Sequence, residues 1–422
     1  MMRRLTLAEV GESQRAPLSD AEAAILVSTG LAETARTETS GVWQVRAGRK
    51  VGTLQIGQTL QVTVTPKVEI DRLVFMMGYA RAPSFWRDDP VALPRHEDLP
   101  EALAHAFNRF ATKSVEQGLL QGYREVDDSL HVVRGRIRAD DQLRLRYQMP
   151  LPVEVRYDEF TVDIAENQIL LDATMRLLRV PQISTVTRSG LHRLRLQFND
   201  VTRLGPGRPL PAWRESRLNA RYQLALRIAE LVIAASSFDQ LGNGGEIEVT
   251  GFIFDAWKIF EDFVCVALSE AMTGGTGQAK FQHRGWLDTG GAIPIEPDFT
   301  WWSGSQPRAV VDAKYKVEKI GRFPNADAYQ VLAYCTALGL DDGHLVYAKG
   351  EADQRSYRVT RSPVTIHCHT LDLATEPGRL LEQVRALASR IAPGHSMLTV
   401  AGNEAARPAS ATAKLPIDTR PL

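Results

Sequence analysis

The sequence lacks net charge. Its 50 Lys and Arg residues balance 50 Asp and Glu residues over 422 positions. No global field therefore draws the chain to nucleic acid, and any basic footprint has to be local. Cysteine is scarce. Cys265, Cys335 and Cys368 are too few and too scattered for a disulfide scaffold, which fits a reducing cytoplasm. Long apolar runs are missing as well. The greasiest region, Leu224 to Ala235, contains Arg227 and Glu230 and reads as a core helix, not a membrane span. The opening MMRRLTLAEVGESQ holds no apolar stretch of signal-peptide length. There is no G-x-x-x-x-G-K-S/T, so nucleotide hydrolysis by a P-loop is not expected, and no H-E-x-x-H, G-x-S-x-G or paired C-x-x-C occurs.

What is present concentrates between Ile295 and Lys316. Phe299 to Trp302 and Ala309 to Tyr315 are rich in aromatic and β-branched residues, and Ser303 to Pro307 is turn material. A hairpin with a five-residue loop centred on Ser305 sets Asp298 opposite Asp312 and Glu296 opposite Lys314. Side chains alternate along a strand, so Asp312 and Lys314 share a face. Facing carboxylates cost a sheet roughly 0.2–1 kcal/mol. Such a pair is either solvated, with Glu296 and Lys314 an incidental ion pair, or it binds a cation. Mg²⁺, commonly held by one or two carboxylates plus water, suits the second case. Lys314 would then stabilise charge on a phosphate or orient an attacking water.

Two neighbouring stretches bear on that choice. Phe252 to Met272 reads as a helix whose buried stripe is Trp257, Phe260, Val264 and Leu268, with Glu261 on or beside it. An acid there either has a partner or extends its head to water. Asp327 to Leu338 reads as a second helix, with Gln330 and Tyr334 on one face. Both can hydrogen-bond a phosphate or a metal-bound water, or simply belong to an amphipathic helix.

Elsewhere, Ser19 and Glu22 suggest a capping box for a helix through Ala23 to Leu31. Val51 to Ile56 and Leu60 to Val64 alternate around Gly57-Gln58, and Leu73 to Tyr79 starts a helix. Glu101 to Leu120 is amphipathic. Arg134, Arg136 and Arg138, at two-residue spacing, would line one strand face. They serve either as a phosphate-contacting strip for DNA or as partners for Asp127, Asp128, Asp140 and Asp141. Val153 to Tyr157 reads as a strand, with helices at Asn167 to Leu178 and within Arg214 to Phe238. Leu241 to Gly245 is a break. Strands come next at His344 to Ala348, Ser356 to Val359 and Ser362 to His369, then a helix at Pro377 to Ile391. His367 and His369 are only two of the ligands zinc requires, so a strand end is the simpler reading.

The order helix acid, strand Asp, Asp-x-Lys, Gln-x-x-x-Tyr resembles the PD-(D/E)xK nuclease superfamily, here Glu261, Pro297-Asp298, Asp312-Ala313-Lys314 and Gln330 to Tyr334. Further segments are similar to the McrC family, the nuclease subunit of McrBC-type modification-dependent restriction systems. These are Val51 to Ile56 with Val64 to Lys67, Arg134-Gly-Arg136, Tyr157 to Phe160 with Asn167, Phe254 to Trp257, and Phe260-Glu261. The resemblance implies an α+β multidomain chain. The sequence pattern itself divides into a β-rich N-terminal module at 1–95, a mainly helical region at 96–245, a nuclease core at 246–400 and an Ala-, Pro- and Thr-rich tail at 401–422 that is expected to be disordered, and the resemblance adds motor docking for the N-terminal part and a PD-(D/E)xK mixed sheet for the core. It implies a catalytic set of Asp298, Asp312, Lys314 and Glu261, supported by Gln330 and Tyr334. Mg²⁺ would be held by Asp298, Asp312 and the Ala313 carbonyl. The implied partners are an McrB-like AAA+ GTPase ring and double-stranded DNA, methylated or not. A stand-alone RecB-like repair nuclease and a non-catalytic activator of an AAA+ motor are the alternatives.

Overall fold

The computed structural model describes residues 2–81, 83, 99–180, 183–205, 208–235, 249–273, 277–318, 325–350 and 355–392. The expected break at Leu241 to Gly245 and the tail from Ala401 lie outside them. By compactness the chain divides into two units, Met1–Val74 with Ala92–Asp255, and Phe75–Val91 with Ala256–Leu422. The architecture is α+β, with several separate sheets.

The first unit begins with strands β1 (Arg3–Ala8) and β2 (Gln14–Pro17), helix α1 (Asp20–Ser28), and strands β3 (Ala32–Arg36), β4 (Val42–Ala47), β5 (Val51–Ile56) and β6 (Leu60–Thr65). Ser19 caps α1. Its hydroxyl accepts from the Glu22 N–H, and the Glu22 carboxylate accepts from the Ser19 N–H, so two otherwise orphaned donors are satisfied. The alternation read in β5 and β6 forms the expected hairpin. Helix α2 (Ile70–Arg81) comes after it, its first turn in this unit and its remainder, from Phe75, in the second.

Next come α3 (Leu99–Val115), strands β7 (Gly122–Leu130) and β8 (Arg136–Ile137), helix α4 (Ala139–Leu145), strand β9 (Val153–Thr161), and helices α5 (Ala165–Arg179), α6 (Thr185–Gln197) and α7 (Gln223–Ala235), then β10 (Val249–Phe254). Helix α3 stops short of the expected Leu120. Its apolar stripe of Leu103, Phe107, Phe110 and Val115 is buried. Three sheets result, ordered β1-β6-β5-β10, β2-β4-β3 and β7-β9-β8.

β10 corrects an expectation. Phe252 to Phe254 is not the start of a helix but an edge strand antiparallel to β5. Its run of aromatic and β-branched residues has the length of a strand, and periodicity alone could not separate it from the helix beyond it. The backbones of β5 and β10 approach closely at Gly52, which has φ +125°, and a Cβ there would stand 2.0 Å from the Phe252 carbonyl oxygen.

The second unit carries α8 (Ala256–Ala271), strands β11 (Gln278–Phe281), β12 (Gly285–Trp286), β13 (Pro294–Ile295), β14 (Phe299–Ser303) and β15 (Gln306–Glu318), helix α9 (Asn325–Leu338), strands β16 (Asp342–Gly350), β17 (Arg355–Arg358) and β18 (Thr365–Thr370), and α10 (Pro377–Ile391). Its main sheet is mixed, ordered β11-β14-β15-β16-β18-β17. β15 runs parallel to β16, and β16 parallel to β18, while the outer pairings are antiparallel. Helix α9 packs over β15, β16 and β18. Its Val331, Tyr334 and Cys335 meet Val310, Leu345, Tyr347, Ile366 and Cys368 in one core. Helix α8 packs against β15 and α10.

The hairpin of β14 and β15 reaches the expected register by a different route. Phe299 pairs with Val311, Thr300 with Val310 and Trp301 with Ala309, as centring on Ser305 requires. The turn, however, is not a five-residue loop, because Ser303 already pairs with Gln306. A bulge between Trp301 and Trp302 inserts the compensating residue beside Pro307, which has no N–H to give the ladder.

A Gly52→Ala variant is expected to destabilise the first unit by about 2 kcal/mol or more, from positive-φ strain and the Phe252 clash. The measurement is the urea unfolding midpoint, and an unchanged midpoint would mean that β5 and β10 do not approach as described.

Candidate active site

β15 presents Asp312 and Lys314 on the face covered by α9, as strand alternation requires. Asp312 is 1% exposed. Its Oδ2 forms an ion pair with the Lys314 ammonium. That same oxygen receives no hydrogen bond of regular geometry from the described residues. A carboxylate oxygen has two lone pairs, so one met by a single ammonium still has capacity for another electrophile.

Asp298 stands just before β14, one residue beyond the last ladder pair. Its Oδ2 accepts from the Ala313 N–H at 2.8 Å, which ties it to β15 midway between Asp312 and Lys314. Its own carbonyl accepts from the Cys265 thiol of α8 at 3.4 Å. The Asp298 and Asp312 carboxyls lie within hydrogen-bonding reach of each other. Burial pushes Asp298 up to about 7, the charge of Asp312 adds to that, and the Ala313 N–H and Lys314 oppose it. Burial likewise raises Asp312, against the pull of Lys314. Burial disfavours the Lys314 ammonium, yet the charges of Asp312, Asp298 and Asp327 hold it above the ordinary lysine value.

Glu261 comes from α8, with its side chain half-buried beside the pair. Desolvation, then the Asp298 charge, drives its carboxyl up to about 8, with Lys314 pulling the other way. The stripe that places it differs from the expected one. Phe260, Phe263, Val264, Ala267 and Leu268 are buried, whereas Trp257 is 41% exposed. Trp257 stands in the first turn of a helix that starts only at Ala256.

Gln330 and Tyr334 do share a face of α9. Gln330 donates to the Tyr334 hydroxyl at 2.6 Å, and that hydroxyl donates to the Glu296 carbonyl at 3.3 Å. Burial first, then the Asp312 charge, keep the phenol protonated well above its usual range. The expected Glu296–Lys314 pair does not form. Glu296 precedes Pro297, outside the ladder, and its carboxylate instead faces Arg284 at 3.5 Å.

The arginine triplet does not line one strand face. β8 is only two residues long, and Gly135 at φ +70° turns the chain before it. The Arg134 guanidinium lies over the Tyr157 ring at 4.0 Å, Arg136 is exposed, and Arg138 pairs with Asp127 and Asp141. The acids thus neutralise Arg138.

Spacing could not show two further features. Asp327, in the first turn of α9, brings a third acid to the Lys314 side and is 5% exposed. His344 of β16 joins the two histidines of β18. His344 Nδ1 and His369 Nε2 share a hydrogen bond of 3.1 Å, while His367 bonds Asp342 at 2.7 Å and Ser356 at 2.8 Å. Burial, then neighbouring histidine charge, pushes His344 down to about 3 and His369 to about 4. Among the described residues no group of three or more His, Cys, Asp or Glu side chains is arranged to hold a metal by itself. A site for a hard cation with two carboxylates, the rest of its shell being water, remains compatible with Asp298 and Asp312. The partly unsatisfied Asp312 Oδ2 and the crowding of two buried acids favour a cation there. Among the described residues no helix is long and apolar enough to cross a membrane.

A family model described as McrBC 5-methylcytosine restriction system component matches residues 45–348. No curated protein matches. Among solved structures, the chain is similar to one in the refined half-complex from a tetradecameric assembly of Thermococcus gammatolerans McrB AAA+ hexamers with bound McrC. The identity is 17% and the TM-score 0.57, over 92% of this chain and 100% of that one. A chain of the cryo-EM structure of the Thermococcus gammatolerans McrBC complex matches at 19% identity and TM-score 0.38, over 65% of this chain and 89% of that one. The first likeness is one of fold.

In metal-free buffer, Asp298→Asn is expected to be more stable than the native chain at pH 8. A raised acid costs stability once ionised in the fold, and that cost disappears as pH falls from about 7 towards the ordinary aspartate value. The advantage in unfolding midpoint should therefore shrink between pH 8 and 5. A gap that is constant or widens would contradict the burial of this carboxylate.

Proposed function

Since the chain belongs to the McrBC family of 5-methylcytosine restriction system components, we propose that it is the endonuclease subunit of such a system. In this reading the second unit is a PD-(D/E)xK core that hydrolyses DNA phosphodiesters with Mg²⁺. It acts in complex with an McrB-like AAA+ GTPase ring, which it stimulates. The observation that carries the reading is the meeting of Asp298, Asp312 and Lys314 at one buried point of a mixed sheet, with Glu261 beside them.

Asp298 and Asp312 would hold the ion, with the Ala313 carbonyl as the expected third ligand. When bound, the ion polarises the scissile phosphate and lowers the pKa of a coordinated water. The Ala313 N–H orients the Asp298 carboxylate by its 2.8 Å hydrogen bond, so this ligand is placed before any cation arrives. Lys314 stands next to Asp312, where its ammonium can meet the charge that builds on the phosphoryl oxygens. Glu261, pushed up to about 8, accepts or returns a proton near neutral pH and orients water from the α8 side. Tyr334, held by Gln330 and by the Glu296 carbonyl, supports the floor of the site and remains a hydrogen-bond donor.

The motor partner rests on the family and on the solved relative, described as McrB AAA+ hexamers with bound McrC. Double-stranded DNA, methylated or not, is the substrate the reading assigns.

The decisive experiment reconstitutes the chain with an McrB-like AAA+ protein. Asp312→Ala should abolish Mg²⁺-dependent DNA cleavage, by a factor of about 100 or more, while GTPase stimulation persists. Full cleavage by Asp312→Ala would remove the assignment of this site.

A further inference from the structure

Asp327 is an acid that the cleavage reading leaves without a task. It stands in the first turn of α9, three residues before Gln330 on the same helix, and is 5% exposed. A carboxylate so buried persists only with partners. One is the hydroxyl of Tyr347, which donates to Asp327 Oδ2 at 3.1 Å. Tyr347 is fully buried in β16 and pairs in register with Lys314 of β15. Register partners in a parallel ladder project their side chains to the same face. The Tyr347 ring therefore rises beside the Lys314 stem, and its hydroxyl fixes Asp327 on the side of Lys314 away from the Asp298 contact. The Asp327 charge acts on both Asp312 and Lys314.

This arrangement answers a conflict within the site. Lys314 has Asp312 as its ion-pair partner, yet Asp312 is also an expected cation ligand. A buried ammonium whose only counter-charge is taken up by a metal would be left uncompensated. It would therefore compete with the metal for that carboxylate. A second acid, anchored from another strand, lets the amine keep a counter-charge when Asp312 turns to the cation.

We propose that Asp327, anchored by the Tyr347 hydroxyl, is a positioning residue that holds Lys314 and so releases Asp312 to a divalent cation. The inference rests on the metal reading of Asp298 and Asp312 and adds to it a device that decides between amine and ion.

The test is calorimetric titration of the full chain with Mg²⁺ alone, without DNA or partner. Asp327→Asn keeps the shape of the side chain and removes its charge, and it should weaken Mg²⁺ binding at least tenfold. Tyr347→Phe should weaken it in the same direction by less. In a Lys314→Met background, Asp327→Asn should have no further effect, since no amine then competes for Asp312. That interaction separates positioning from a general loss of fold, which would persist without Lys314 and would also lower the unfolding temperature. Mg²⁺ binding within twofold of the native chain in Asp327→Asn, or an undiminished loss in the Lys314→Met background, would overturn this inference alone. Native binding that survives Asp312→Ala would overturn the metal reading and this inference with it.

Discussion

The second unit depends on a carboxylate kept inside a sheet. Asp312 is 1% exposed on an inner strand, where an ionised acid is costly unless its charge is met. The chain meets it with the Lys314 ammonium two residues along the same strand, so both charges share one face without help from any other element. A second acid, Asp298, is then drawn in by the backbone N–H of the residue between them. The result is more negative charge than one ammonium offsets, and burial first, then that charge, drives Asp298 and Glu261 upward in pKa. Such an excess of buried acid favours a cation, and that is a chemical argument for the Mg²⁺ reading independent of any resemblance.

Helix α8 brings Glu261 and supplies the Cys265 thiol to the Asp298 carbonyl. Helix α9 covers Asp312 and Lys314 with an apolar core in which Tyr334 and Tyr347 each carry a hydroxyl to a polar partner. The rings belong to the apolar core, and each buried hydroxyl has a hydrogen-bond partner. On the opposite face, His344, His367 and His369 stack with ring separations of 5.1 to 6.3 Å. His344 Nδ1 and His369 Nε2 share one hydrogen bond and His367 is taken up by Asp342 and Ser356, while His369 Nδ1 is buried without a hydrogen-bond partner among the described residues.

In the region that carries the arginine triplet, pairing with the neighbouring acids was one of two readings, and Arg138 does pair with them. Two-residue spacing suggested a basic strip, but a strip requires a continuous strand and unpaired guanidinium groups. Gly135 turns the chain, Arg134 settles on an aromatic ring, and Arg138 meets two acids. Arg136 stands exposed, with no such contact to the described residues.

The sequence alone determined the relations set by period and neighbourhood. Strand alternation placed Asp312 with Lys314, and helical spacing placed Gln330 with Tyr334. Cross-strand counting set Phe299 against Val311, and Ser19 with Glu22 closed a capping box. These relations span few residues and rest on backbone geometry that any chain obeys. Tertiary structure decided the rest. It made Phe252 to Phe254 an edge strand because β5 was there to pair with it, and it moved Glu296 away from Lys314 because the ladder ended at Phe299. It brought Asp327 to Tyr347, Tyr347 beside Lys314, and His344 to His369, across stretches where no periodicity links the partners. Those contacts depend on which strands become neighbours in a mixed sheet, and that is settled by the burial of whole faces, not by the spacing of a motif.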